Sequence, residues 1–287
     1  MNCVVCGHPA RYRCQYCARC KKFASKSTTK RVRRRALIAA WNKEADGFLC
    51  YYTGVKLEDY DTASPFYLTF DHPVPGDKTQ LLVCARFINE LKTAMTETEF
   101  RTNIQLLARH FQTGEPIDRS LFRVDHYHGH AKKKPINTSL PELDEPEKGW
   151  YSETCVICGH EPIKTMIYCQ RCRKILLCEG DRVAKRKALV EAYDRDADGF
   201  RCYYTGFLLV LDDPSSPWEY NFDHRIPGQP GDYVITCGLL NDMKTQLSEE
   251  EFKKVVIELA AHFETGKPYN RDIIKFEFWD RPRAVRV

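Results

Sequence analysis

A shift of 152 positions lays this 287-residue chain on itself almost without gaps. Cys3 falls on Cys155, Cys6 on Cys158, Cys17 on Cys169, Cys20 on Cys172, Cys50 on Cys202, His72 on His224 and Asn89 on Asn241. The register persists through His110 and His262 to Gly114 and Gly266, so the repeating unit is a domain and not a small stacking repeat. A chain of this length accommodates two domains, each able to bury its own core. The expected boundaries are residues 1–129 and 151–287. The stretch between, 130–150, contains HAKKKPINTSLPELDEPEKG and reads as a linker, rich in Pro, Lys and Glu and poor in apolar residues.

Fourteen cysteines need a purpose. The N-terminal MNCVVCGHPARYRC has no apolar core of signal-peptide length and no apolar run approaches a membrane span, so the expected location is intracellular. In a reducing compartment, cysteines in C-x2-C pairs bind metal rather than form disulfides. Two such pairs joined by a short hairpin supply the four soft ligands of a tetrahedral structural Zn2+ site. Cys3, Cys6, Cys17 and Cys20 do so in the first copy, and Cys155, Cys158, Cys169 and Cys172 in the second. Cys14 offers another pairing with Cys17, but Met166 takes its place in the second copy, so Cys14 and Cys178 read as spares.

Within each copy the knuckle precedes a basic helix (Lys30 to Trp41, Arg182 to Tyr193). Short strands follow at CYYTG and at YLTFDH or YNFDH, then a helix around Asn89 or Asn241, then a longer closing helix. Thr96 with Glu99 and Ser248 with Glu251 have capping-box spacing. Phe100, Ile104, Leu107 and Phe111 recur on one face, as do Phe252, Val256, Leu259 and Phe263, and Gly114 and Gly266 stop the helices. His110 and His262 beside these stripes read as scaffold. The class expected is α+β.

An aspartate followed by histidine, leaving a strand and preceding a helix with Asn and then Lys three residues on, suits one-metal phosphodiester hydrolysis. Asp71 and the Asn89 amide oxygen are hard ligands for Mg2+ or Mn2+, and His72, on the other face of the strand, can deprotonate water. Asp223, Asn241 and His224 repeat the arrangement, and Lys92 and Lys244 lie a helical turn past the asparagine, where they could hold the scissile phosphate. A third Asp-His, in VDHYHGH at Val124, has no N-x-x-K downstream and reads as incidental. DRDADG at Asp194 resembles the opening of a calcium loop, but Thr205 stands where a bidentate Glu is needed, and calcium is rejected.

The segments YLTFDHPVPG...QLLVCARFINELK and YNFDHRIPG...DYVITCGLLNDMK resemble the HNH, or ββα-metal, endonucleases, and the preceding knuckle resembles that of zinc-bearing homing and restriction members. The resemblance implies a two-stranded hairpin followed by a helix, Asp and Asn as metal ligands, histidine as base, and DNA hydrolysis to 5'-phosphate and 3'-hydroxyl ends. It also implies a residue that orients the histidine, usually Asn, nine positions before the metal-binding Asn; Gln80 and Asp232 stand there. A second zinc site found in many members is expected to have decayed to packing, because Cys50 and Cys202 face Thr53 and Thr205, Cys237 is followed by Leu240, and Cys84 is out of frame.

The chain carries a net charge of +5, unevenly spread: residues 1–50 hold twelve Lys/Arg against Glu44 and Asp46, whereas 153–202 hold ten against eight acids. A polyanion is the natural partner. The basic helices offer Lys30, Arg31, Arg33, Arg34 and Arg35 in the first copy and Arg182, Lys185, Arg186 and Lys187 in the second as phosphate contacts. The expected protein is a sequence-specific double-strand DNA endonuclease acting as a monomeric pseudo-dimer with non-identical half-sites. A nicking enzyme with one inactive half and a non-catalytic zinc-dependent DNA-binding protein are the alternatives.

Overall fold

The computed structural model describes residues 1–10, 13–24, 30–127, 152–164, 166–176 and 181–279; the expected linker and Cys178 lie outside them. The chain divides into two compact units, Met1–His126 with Met243–Val287, and Tyr127–Asp242. No helix among the described residues is long and apolar enough to cross a membrane.

In the first unit, helix α1 (Ala18–Ala24) grows out of the cysteine knuckle and α2 (Lys30–Ala40) follows. A two-residue hairpin pairs β1 (Trp41–Asn42) with β2 (Gly47–Phe48). The CYYTG segment, expected as a strand, is a turn: Gly54 at φ +66° closes it by donating to the Cys50 carbonyl oxygen. Only glycine takes that left-handed conformation without strain. Strand β3 (Leu68–Asp71) then pairs antiparallel with β4 (Leu82–Ala85), Asp71 opposite Leu82, and α3 (Arg86–Lys92) follows directly.

Helix α4 (Glu97–Thr113) closes the first copy as its stripe requires. Thr96 and Glu99 form the expected capping box, and Gly114 ends the helix in the left-handed conformation. In the second unit the same order recurs: α5 (Gln170–Leu176), α6 (Arg182–Ala192), β5 (Tyr193–Asp194) with β6 (Gly199–Phe200), and β7 (Tyr220–His224) with β8 (Tyr233–Cys237). Helix α7 (Gly238–Lys244) follows β8, and α8 (Glu249–Thr265), with its Ser248–Glu251 capping box, packs in the first unit.

The α4–α8 pair is the centre of the first unit, and its contacts are reciprocal. Phe100 meets Phe263 at 6.0 Å between ring centroids, and their in-frame counterparts Phe252 and Phe111 meet at 5.9 Å. Arg101 lies over the Phe263 ring and Lys253 over Phe111. Phe100, Ile104, Leu107, Phe252, Val256 and Leu259 are fully buried, each apolar side chain contributing about 1.5–3 kcal/mol. The C-terminal segment adds Phe276, packed on Phe66 at 5.5 Å and Phe87 at 5.2 Å.

Candidate metal centres and hairpin site

The two cysteine clusters form as the spacing predicts. In each copy the four Sγ atoms lie within 4.8 Å of one another, nearly all of them buried. A Zn–S length of about 2.3 Å places tetrahedral sulfurs about 3.8 Å apart, so both clusters are consistent with structural Zn2+. Several bonds of their scaffolds recur in both copies. Gly7 and Gly159, both at positive φ, donate to the Cys3 and Cys155 carbonyl oxygens at 3.0 and 2.8 Å, and Cys6–Cys17 and Cys158–Cys169 are each 3.5 Å apart.

The thiols of each cluster are pushed in opposite directions, Cys6 and Cys158 upward by burial. Burial alone raises the Cys3 thiol, but N–H groups of Cys6, Cys17 and Val5 bring it down to about 6, and the equivalent donors bring Cys155 to about 7. Cys20 and Cys172 are pushed up, by burial first and then by the neighbouring cysteines, the repulsion a cation would relieve. His8 and His160 point Nε2 at Asp46 and Asp198, 3.4 Å in each copy, which ties each knuckle to the turn after the basic helix. The remaining described cysteines form no third cluster: Cys50 Sγ accepts from the Ala85 N–H, Cys84 and Cys202 face Thr69 and Thr236, and Cys14 is half-buried.

The Asp-His pair leaves the first strand of a hairpin, and the helix bearing the asparagine follows the second. Asp71 is buried, and both carboxylate oxygens are engaged: Oδ2 accepts from the Tyr52 hydroxyl at 2.6 Å and Oδ1 from Lys92 Nζ at 3.1 Å. Lys92 is 1 % exposed and donates also to the His72 carbonyl oxygen at 2.9 Å. Burial, with the Asp71 charge behind it, raises the Tyr52 hydroxyl's pKa, so it stays a donor. Asp223 is likewise buried and accepts from the Tyr204 hydroxyl at 2.9 Å; Lys244 is buried too. Asn89 and Asn241 are half-buried, with no hydrogen bond to either side chain among the described residues.

The histidines differ. His224 Nδ1 lies 2.8 Å from the Gln229 carbonyl oxygen, and its ring packs on Tyr233 at 4.2 Å. Asp232, expected to orient that ring, accepts from Arg225 Nε at 2.7 Å. No hydrogen bond to the His72 imidazole is found among the described residues, and Gln80 is exposed. Tyr52 and Tyr204 escaped the sequence reading although CYYTG recurs in both copies; the Gln229 carbonyl, a backbone group, leaves no side-chain signal at all.

On the basic helices, Lys30, Arg31, Arg35 and Lys187 are exposed, and Arg34, Arg182 and Arg186 half-buried. Arg33 and its counterpart Lys185 turn inward instead. Arg33 lies 4.5 Å over the Phe70 ring, and Lys185, 3 % exposed, lies 5.0 Å over Phe222. These cation–π contacts pin each basic helix to its hairpin. Comparison of the chain with protein-family models, with curated proteins and with solved structures finds no match.

Proposed function

We propose that the chain is a sequence-specific endonuclease of the HNH (ββα-metal) type that hydrolyses both strands of duplex DNA, one strand per copy. The observation that carries the reading is the set of groups around His224. A carbonyl oxygen can only accept, so in the neutral ring Nδ1 holds the proton and Nε2 carries the lone pair. That lone pair can take a proton from water as the water attacks phosphorus; the bond to the 3' oxygen breaks, leaving 5'-phosphate and 3'-hydroxyl ends. The hard donors beside the histidine suit Mg2+ or Mn2+: each Asp71 oxygen keeps a second lone pair beyond its one donor, and the Asn89 amide is uncommitted. A bound cation of this kind would neutralise charge developing on the phosphate. Asp71, Asn89, Asp223 and Asn241 would hold it, Tyr52 and Tyr204 keep the carboxylates oriented, and Lys30, Arg31, Arg34, Arg35, Arg186 and Lys187 would meet the backbone phosphates.

Within the first unit the contacts of α4 with α8 are reciprocal, the self-matching kind of packing that a homodimer uses. Because α2 and α6 differ in charge, the half-sites are expected to differ, as in homing or restriction enzymes.

The test is incubation of the purified chain with plasmid libraries and Mg2+, with breaks mapped by sequencing. Paired breaks at a recurrent, imperfectly palindromic site, reduced to single-strand nicks by His72→Ala or His224→Ala, are expected. Binding that is equal with and without added Mg2+, with no breaks, would sink the proposal in favour of a non-catalytic zinc-dependent DNA-binding protein. The closed Asp71–Lys92–Tyr52 cluster is the feature that favours that second reading.

A further inference from the structure

The two hairpins part company at one residue. In the second copy, Arg225 follows the histidine, and its N–H donates to the Asp232 carbonyl oxygen at 3.3 Å while its guanidinium pairs with the Asp232 carboxylate. The ladder therefore runs one pair further, to His224 opposite Tyr233. In the first copy that place holds Pro73, which has no N–H to give. The ladder stops at Asp71 opposite Leu82, His72 falls outside the strand, and Leu81 stands where Tyr233 would offer a ring. The loops themselves close alike, Asp77 N to Val74 O and Gln229 N to Ile226 O, both 3.1 Å. Among the described residues, the second imidazole is backed by a carbonyl and a ring and the first by neither.

We infer that Tyr233, Arg225 and the Gln229 carbonyl are positioning groups, and that the two strands of a target are cut in a fixed order, the second copy's strand first. This rests on the endonuclease reading above. The Gln229 carbonyl and the Tyr233 ring already hold His224 in one orientation, with Nδ1 as the donor, whereas His72 must select tautomer and orientation once DNA is bound. Loss of such orientation slows a reaction by about tenfold to a hundredfold.

Two measurements test it on the full chain. Nitrogen-15 spectra of labelled histidines, without DNA, are expected to give a single Nδ1–H tautomer for His224 and a mixture for His72, assigned with the His72→Ala and His224→Ala variants. Identical tautomer patterns would overturn the inference. Strand-resolved single-turnover cleavage, with the strands assigned by the same variants, is expected to give the second copy's break first. Tyr233→Leu, which installs the first copy's residue, should slow that strand at least about tenfold and leave the other unchanged. A misfolded variant would slow both strands, so Leu81→Tyr with Pro73→Arg and Gln80→Asp is made in parallel and should speed the first copy's strand. Equal strand rates in the parent chain would overturn the ordering alone; no cleavage of any DNA would overturn the endonuclease reading with it.

Discussion

The cysteine knuckles of the two copies repeat each other closely, whereas the basic helices that follow them do not. Gly7 and Gly159 make the same bond, and His8 and His160 face Asp46 and Asp198 across the same 3.4 Å. Helix α2 presents Lys30, Arg31 and Arg35 to solvent; at their in-frame positions α6 has half-buried Arg182, Val183 and exposed Lys187. Four thiols that must sit together tolerate little change in the chain around them, while a solvated face can exchange charge for apolar surface without disturbing the core. The first copy should therefore supply most of the electrostatic attraction to a polyanion.

Removing metal is the most severe way to break that comparison, because it strikes the part the copies share. Structural zinc contributes about 10–16 kcal/mol to small domains. Cys20→Ser and Cys172→Ser are each expected to lower the zinc content from two ions to one, measured by elemental analysis, with an equivalent loss of order in the affected knuckle. A chain that keeps both ions after either change would show that the clusters of four are not the sites.

Next in size is Lys92→Met. The ammonium is the charge partner of a carboxylate that is itself 4 % exposed, so its removal strands a buried anion. Such a loss costs about 3–5 kcal/mol, readable in denaturant melts. Phe100→Ala should cost about as much, by opening a cavity against Phe263 and Tyr52. If the α4–α8 contacts are truly reciprocal, Phe252→Ala will match it closely.

Much of this molecule was legible in the sequence because the signals were local or were written twice. Capping boxes, glycine stops and the cysteine spacing depend on a few neighbouring residues, and each recurs 152 positions later. What escaped was set by tertiary context. The CYYTG segment has β-forming residues, yet Gly54 turns it back on Cys50 and buries the Tyr52 hydroxyl against Asp71. Lys185 reads as one more surface cation until its ammonium is found over the Phe222 ring. The pairing of α8 with α4 joins segments about one copy apart, which no periodicity within either helix could disclose.

A milder probe of the difference between the copies is the salt dependence of the proposed DNA binding. Each backbone phosphate left without its cation lowers the slope of log K against log salt by about one. Arg31→Ala with Arg35→Ala is expected to lower it by about two, and Lys187→Ala by about one or less, since Lys187 already has Glu191 at 3.9 Å on its own helix. Equal slopes would deny the first copy its electrostatic lead.

The smallest expected effect tests the shared scaffold instead. Thr96 and Ser248 accept from the N3 amides of Glu99 and Glu251 at 3.2 Å in both copies, with the reciprocal carboxylate bonds in place. Replacing either by alanine exposes one helix-end donor and should cost about 1 kcal/mol. The two values should agree, because the cap geometry is the same: φ −64° at Thr96 and −65° at Ser248. The surroundings differ in one respect. Glu99 Oε1 also accepts from the Asp125 N–H and Glu251 Oε1 from Glu277, each 26 residues downstream, at 2.7 and 3.1 Å. The shorter bond ties the Val124 segment to α4, so Glu99→Gln should cost more than Glu251→Gln in the same melts. Although burial opposes it, the Asp125 and Thr96 amides hold the Glu99 carboxyl below its ordinary value. Its contribution is thus present above the unfolded pKa and lost as pH falls through the lower, folded one, and the excess cost of Glu99→Gln should vanish at low pH.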